Sequence, residues 1–286
     1  MAALTENRQI SEAEDLVTFL KPAKGWLSID FKELWRYREL IYFLTWRDIK
    51  VRYKQAVLGI AWAVLQPLMT MVIFTVIFGT LLKTPSQGIP YPLFSLTALL
   101  PWQLFASALQ RSSTSLVGNA NLLTKIYFPR LAIPMASIFA ALVDFLISFV
   151  VLIGVMIYYR YMPGWNALWV PLLVLLALLT ALAVGLWLSA LNVQYRDIQQ
   201  IVPFLVQVWM YASPIVYPIE TIPEGVWRWL YSLNPMVGVI QGFRWALLGG
   251  TPPDLTLVIS VAMVLILLVS GLYYFRRMEK TFADIV

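Results

Sequence analysis

The sequence lacks cysteine and histidine, two residue types that carry much of protein chemistry. Without them the chain cannot form disulfides, use a thiolate nucleophile, bind a metal through thiolate or imidazole, or relay protons through histidine. It also lacks the G-x-x-x-x-G-K-S/T loop that holds nucleotide phosphates. We therefore expect this chain to have no catalytic residue and to bind no metal and no cofactor. ATP and Mg²⁺, where they are needed, should be bound by a separate subunit.

Charged residues are scarce as well. They make up 13% of the 286 residues, against about 25% in soluble proteins. Hydrophobic residues make up 60%, and the mean hydropathy is +0.75. So few charges cannot cover a water-exposed surface, and long charge-free runs are typical of membrane-spanning helices. We predict an all-α integral membrane protein.

Six segments are long and apolar enough to cross a bilayer, which takes about 20 residues of helix. We predict six transmembrane helices at residues 56–82, 93–110, 131–159, 168–191, 198–219 and 255–275. The stretch 221–253 is too broken for another span, because its longest charge-free run contains Asn234, Pro235, Gly238 and Gly242. We interpret it as a short outer helical hairpin before the last span. We expect the hairpin to make few rigid contacts and to act as a gate.

The basic residues predict the orientation of the chain. With six spans, 17 of the 21 lysines and arginines fall on one side and four on the other, which is the distribution typical of cytosolic loops. Both termini are therefore predicted to be cytosolic. Residues 1–27 are predicted to form a cytosolic N-terminal tail, and 28–286 a single transmembrane domain. Residues 30–55 combine apolar side chains at helical spacing with an excess of basic residues, which predicts an N-terminal amphipathic helix at the membrane interface.

Four motifs, taken together, resemble those of one transporter family. They are YPLFSLTALLPWQLFASAL (91–109), NANLLTKIYFPR (119–130), LNVQYRDIQQIVPFLVQVWMYASPIVYP (191–218) and LNPMVGVIQGFRWALLG (233–249). In order and spacing they resemble the ABC-2 type permeases that export polysaccharides, which are the membrane subunits of O-antigen, capsule and teichoic acid exporters. The resemblance covers the chain from around Asp30 to the C-terminus.

The resemblance implies a homodimer in the cytoplasmic (inner) membrane that forms a channel and is driven by two copies of a separate ABC ATPase subunit. Its substrate would be a lipid-linked polysaccharide on a diphosphate carrier, and no nucleic acid partner is expected. A permease of the same type for a drug or small lipid is an alternative. A multi-span glycosyltransferase or polymerase of lipid-linked glycans is another, but it would need a catalytic acid or base in a sizeable loop, and the predicted outer acids are only Glu220, Glu224 and Asp254.

Aromatic residues of the first, second and fifth spans are candidates for a substrate pathway. Flat rings with polar edges can stack on sugar faces, although helix packing and the interfacial belts of Trp and Tyr explain single rings equally well. The candidates are Trp62, Phe74, Phe78, Trp102, Phe105, Phe204, Trp209, Tyr211 and Tyr217.

Asp144 is the only carboxylate deep in a predicted span. A charge there costs roughly 2.5 to 3.5 kcal/mol, so Asp144 needs a partner or contact with water. Our first interpretation is a structural hydrogen bond, for example to Ser148, and the second is a place in the substrate pathway.

Basic residues next to the first span are candidates for the entry of a lipid diphosphate, through charge-assisted contacts to phosphate oxygens. These are Arg47, Lys50, Arg52 and Lys54. Retention of positive charge on the inner face explains them equally well.

The inner loop between the second and third spans is the candidate for coupling to the ATPase. It has several apolar residues where a merely solvated loop needs none, and Pro129 ends any helix there. The candidate coupling residues are Asn121, Leu122, Leu123, Lys125, Tyr127, Phe128 and Arg130. A helix resting on the lipid surface is the alternative.

Overall fold

Helical structure continues through nearly all of the chain that can be described. The computed structural model describes residues 31–54, 59–125, 127–250 and 252–282. The N-terminal tail predicted at 1–27 and the start of the first span at 56–58 lie outside the described residues. Within them, the regular structure consists of α-helices with short 3-10 and π-helical segments, without β-strands. The all-α prediction is confirmed.

We number the α-helices of the described residues from α1 to α11. They are α1 (Phe31–Arg36), α2 (Arg38–Lys54), α3 (Gly59–Phe74), α4 (Tyr91–Gly118), α5 (Ala120–Lys125), α6 (Ala132–Tyr158), α7 (Val170–Gln194), α8 (Ile198–Tyr211), α9 (Val226–Ser232), α10 (Pro235–Leu248) and α11 (Leu255–Glu279). A π-helical segment, Thr75–Leu81, continues α3, and 3-10 segments lie at Trp165–Trp169 and Ile219–Thr221.

Five helices of the described chain are long and apolar enough to cross a membrane. They occupy Ala61–Leu81, Tyr91–Gly118, Ala132–Tyr158, Trp165–Gln194 and Leu255–Glu279. These segments match five of the six predicted spans. Four of them show wide uncovered apolar faces, as membrane helices do, whereas α4 is mostly buried inside the subunit.

The predicted fifth span, 198–219, is helical only over α8, which has 14 residues. A sixth crossing therefore remains a prediction, and two hydrogen bonds support it. Asn192, in the last turn of α7, donates to the Ser113 carbonyl near the C-terminal end of α4, while Tyr91 at the opposite end of α4 donates to the Val216 carbonyl. The segment from 192 to 216 thus runs along most of α4, whose 28 residues span about 42 Å.

Helix α4 is the centre of the subunit and packs against α6 and α7. Small residues allow these helices to approach closely, as is common in membranes. At Gly185 of α7, an added Cβ would lie 2.5 Å from the Ser112 hydroxyl of α4. This crossing therefore requires glycine, and it fixes α4 as a buried rod on which the other elements are arranged.

The stretch 221–253 contains the two short helices α9 and α10, which are held differently. Helix α9 exposes most of its apolar side chains, whereas nearly all of α10 is buried. Asn234 caps α10 by accepting from the Met236 amide, accepts from the Trp209 indole and donates to the Ala212 carbonyl. The expectation that this segment makes few rigid contacts is therefore wrong for α10, because its small Gly238 and Gly242 pack tightly against Ser260 and Leu173 instead of breaking the helix.

Candidate functional site: a polar cleft with an ion cluster

A cleft of about 420 Å³ lies between α3, α4, α6 and α8. Amide and hydroxyl side chains line it: Gln66 and Thr70 from α3, and Gln103, Ser107 and Gln110 from α4. The three α4 residues are spaced i, i+4 and i+7, which places them on one face of the helix. Polar groups in a membrane interior are costly unless they meet water or a polar ligand. The cleft therefore places a polar face of α4 opposite polar side chains of α3.

A cluster of charged groups lies at one end of this cleft, around Asp144 of α6. The Asp144 carboxylate accepts from Arg52 of α2 at 2.7 Å, from Arg111 of α4 and from the Tyr53 hydroxyl of α2. Two cations surround one anion, so the cluster keeps an excess positive charge. Arg52, Arg111 and Asp144 all line the cleft. The side chains of Arg52 and Arg111 are 38% and 21% exposed, so the cations remain accessible from the cleft.

The third partner of Asp144 is an uncharged donor. Burial raises the pKa of the Tyr53 hydroxyl, and its hydrogen bond to Asp144 raises that pKa further. Tyr53 therefore keeps its proton at physiological pH and remains a donor to the carboxylate.

The predicted partner of Asp144 is corrected by these contacts. Ser148 does not donate to the Asp144 carboxylate; its hydroxyl donates to the main-chain carbonyls of Asp144 and Ala63. The carboxylate instead joins three helices that are distant in sequence. Arg111 and Tyr53 were missed as site residues. The signal available for Arg111 was its place four residues after Ser107, on the polar face of α4.

The nine aromatic candidates do not form one continuous lining. Trp102 contributes to the cleft wall. Phe105 packs edge-on against Trp209 with ring centroids 5.0 Å apart, and Phe74 packs against Phe78 at 5.6 Å. Of the remaining four, Tyr211 and Tyr217 are adjacent, because the Tyr217 hydroxyl donates to the Tyr211 carbonyl at 3.2 Å. Exposed on the helix surfaces are Trp62, Phe204 and Tyr211, whereas Tyr217 shares a hydrogen bond with Tyr231.

The four basic candidates are separated as well. Arg47 forms an ion pair with Asp48 and donates to the Asn119 side chain at 2.8 Å, so it ties α2 to the end of α4. Lys50 and Lys54 are exposed on α2. Of the four, Arg52 lines the cleft.

The candidate coupling segment presents only part of the predicted residues on its surface. Leu123 and Phe128 are buried in the chain's own apolar core, so they are not free to contact a partner. Tyr127 is 62% exposed, and Asn121 and Lys125 are exposed on α5.

The other end of this segment is tied to the last span. Arg130 donates to the Glu279 carbonyl near the end of α11 and lies over the Phe282 ring. A surface pocket of about 240 Å³ is lined by Thr124, Lys125, Tyr127 and Arg130, among others. Leu122 is half-buried and packs against the same apolar core as Leu123 and Phe128.

Comparison with known proteins defines the class to which this architecture belongs. Residues 39–248 match the family described as ABC-2 type transporter. The match covers well over half of the chain, which therefore belongs to the ABC-2 type transporter family.

Individual relatives align over most of their own length. An O-antigen export system permease protein RfbA of Myxococcus xanthus is 32% identical over 253 residues, which cover 87% of this chain and 96% of the relative. A protein of the same name from Klebsiella pneumoniae is 31% identical over 249 residues, covering 87% and 95%. The polysialic acid transport protein KpsM of Escherichia coli is 29% identical over 240 residues, covering 82% and 91%.

Proposed function

We propose that this chain is the permease subunit of an ATP-driven exporter that moves a lipid-linked polysaccharide, such as O-antigen, across the cytoplasmic membrane. Relatives named for O-antigen export and for polysialic acid transport support the glycan as cargo. The observation that carries the proposal is the polar cleft with its cationic end.

The chemistry of the cleft fits such a cargo. A glycan carries many hydroxyl groups that must exchange water for other hydrogen-bond partners, and amide and hydroxyl side chains can donate as well as accept. The carrier diphosphate is anionic, and arginine binds phosphate oxygens through paired, charge-assisted hydrogen bonds. Arg52 and Arg111 supply two guanidinium groups, of which only part of the charge is balanced by Asp144.

A second copy of the chain and an ATPase complete the proposed exporter. Helices α3 and α8, which flank the cleft, each pack one narrow stripe against the subunit and leave wide apolar faces uncovered. We assign these faces to a homodimer that closes the channel. Since the chain has no nucleotide-binding loop, two copies of a separate ATPase would supply the energy. The exposed residues Asn121, Lys125 and Tyr127 are proposed as its docking site, on the predicted cytosolic side.

The test is export in a cell that makes the glycan. Deleting the gene for this chain should abolish surface glycan and leave lipid-linked glycan on the cytosolic face, and the wild-type gene should restore display. Arg111→Gln should lower the export rate by about tenfold or more, because a hydrogen bond to a charged group contributes about 1.5 to 3 kcal/mol.

The matched control is Arg160→Gln, which alters an exposed arginine between α6 and α7 and should export normally at equal membrane abundance. Normal surface glycan in the deletion strain would refute the proposal and leave a drug or small lipid as the cargo to test.

A further inference from the structure

A second polar cavity lies near the opposite end of α4 from the ion cluster. It has a volume of about 460 Å³ and shares no lining residue with the cleft described above. Its walls come from the turn at Gln87, the start of α4, helices α9 and α10, and residues 252–256. In the predicted topology this is the outer side of the membrane.

Buried Arg244 of α10 forms the floor of this cavity. Its guanidinium lies 3.7 Å from the centre of the Phe94 ring and donates to the carbonyls of Ile215 and Tyr217. Its side chain is 9% exposed, and its Nε atom has no hydrogen-bond partner among the described residues. The Nε atom of Arg228, which also lines the cavity, is likewise buried without a partner in the described chain. Both arginines line the cavity, so their guanidinium groups are the charged donors that it offers.

The charges around the cavity indicate the class of ligand. Arg228 and Arg244 are opposed by Glu220, Glu224 and Asp254, so a strongly charged ligand of either sign would meet repulsion. No group of three acidic residues in the described parts of the chain is arranged to hold a metal ion. A neutral ligand with many hydrogen-bonding groups meets neither obstacle.

The uncharged lining is suited to a sugar. The Thr256 hydroxyl donates to the Gln241 side-chain oxygen at 3.1 Å, and both side chains can donate and accept hydrogen bonds. Trp245 offers a half-buried ring with an apolar face, of the kind that packs against the C–H face of a pyranose. The volume falls within the range of roughly 300 to 1,000 Å³ that is usual for small-ligand sites. The cavity therefore has acceptors, donors and an aromatic wall within the space of a small saccharide.

We infer that this cavity is a saccharide-binding site that holds a sugar unit of the exported glycan after it has crossed the membrane. The inference rests on the proposed function, since it takes the glycan as the cargo. Carboxylates bind sugar hydroxyls as acceptors, and the two guanidinium groups bind sugar oxygens as donors.

The absence of cysteine allows a direct test. Pro252→Cys places the chain's single thiol at an exposed position of the cavity wall that has no proposed role in binding, where an impermeant maleimide can reach it in intact cells. Labelling should be several-fold slower in cells that make the glycan than in isogenic cells that cannot, because bound sugar covers the thiol. Pro253→Cys, at a partly exposed position of the same wall, provides a second reporter. Met162→Cys, at an 81% exposed site outside the cavity, should label at the same rate in both strains.

A further variant separates binding from shielding by a passing polymer. Adding Glu220→Gln and Asp254→Asn to Pro252→Cys removes two charged acceptors and should make the labelling rate the same in cells with and without the glycan. Protection that persists in this variant would overturn the inference. It would also be overturned if Pro252→Cys and Pro253→Cys each label at the same rate in cells with and without the glycan while the glycan is displayed normally. The proposed function fails separately, if surface glycan does not depend on this chain.

Discussion

A carboxylate inside a membrane span is stable only if its neighbours compensate its charge. Asp144 achieves this with Arg52, Arg111 and Tyr53, which come from two other helices. The cluster therefore joins helix α2 to α4 and α6 at one point. The same contacts that keep Asp144 charged also keep the two arginines at the end of the cleft.

Asp144→Asn should destabilise the chain by about 1 to 3 kcal/mol. Removing one partner of a fully buried pair costs about 3 to 5 kcal/mol, and the partial exposure of Arg52 and Arg111 reduces this by solvent screening. The measurement is the unfolding midpoint of the chain purified in detergent. Asp197→Asn, in an exposed turn, serves as the control and should change little. Equal midpoints for the two variants would show that the cluster does not stabilise the fold.

The sequence predicted that Asp144 needs a partner but not which one. Tyr53 and Arg111 are 91 and 33 residues away along the chain, so their approach depends on how three helices pack. Helical spacing alone suggested Ser148, four residues further on. The same limit applies to the aromatic candidates. The sequence shows which residues could stack on a sugar, but not which side of each helix faces the cleft.

At the scale of single elements, the candidate coupling segment has an exposed aromatic residue, Tyr127, directly before a buried one, Phe128. Tyr127→Ala should leave the unfolding midpoint unchanged and reduce co-purification of the ATPase, because exposed aromatic anchors carry much of such an interface. Phe128→Ala should lower the free energy of unfolding by about 3 to 5 kcal/mol, and the midpoint with it, because it opens a cavity in the core. The two variants together distinguish docking from folding.

Normal ATPase recovery with Tyr127→Ala would contradict this docking site. The ATPase would then have to bind elsewhere on the predicted cytosolic side, with the turn at Tyr195 to Asp197 as the next candidate. Tyr195→Ala is the corresponding variant, since Tyr195 is exposed.

Helix α8 shows how proline ends an element that hydropathy would continue. The apolar run predicts a span to residue 219, but the helix ends at Tyr211. Pro214 and Pro218 lack an amide hydrogen and disfavour helix in the residues before them. The chain then continues as a buried irregular segment, held by Tyr91 and Arg244 through main-chain carbonyls. The prolines predict where the helix ends. The sequence does not predict that Tyr91 and Arg244 donate to the carbonyls of the segment that follows.

On the scale of the whole molecule, hydropathy predicted the spans well because each needs only a long apolar run. It could not predict that α10 is buried, since burial depends on small residues meeting Ser260 and Leu173 on other helices. This changes where movement is expected at the outer side. If this region gates the exit, α9 with its exposed apolar side chains is the element that can move, and α10 is part of the rigid core.

The topology of the outer region gives the final prediction. Glu224 and Asp254 flank α9 and α10 on either side in sequence, and both line the same cavity. They should therefore lie on the same side of the membrane. If the segment between them crossed the membrane, they would lie on opposite sides. Glu224→Cys and Asp254→Cys should both react with an impermeant thiol reagent added to intact cells.

Lys280→Cys, just after α11, provides the matched control. It should react only after the cells are permeabilised, because α11 carries the chain back across the membrane. If only one of the two outer cysteines reacts, the segment crosses, and the basic residues at the end of α11 would lie outside against the positive-inside distribution. If both react only after permeabilisation, the orientation of the whole chain is inverted, and the cationic end of the cleft would face away from the side on which ATP is available.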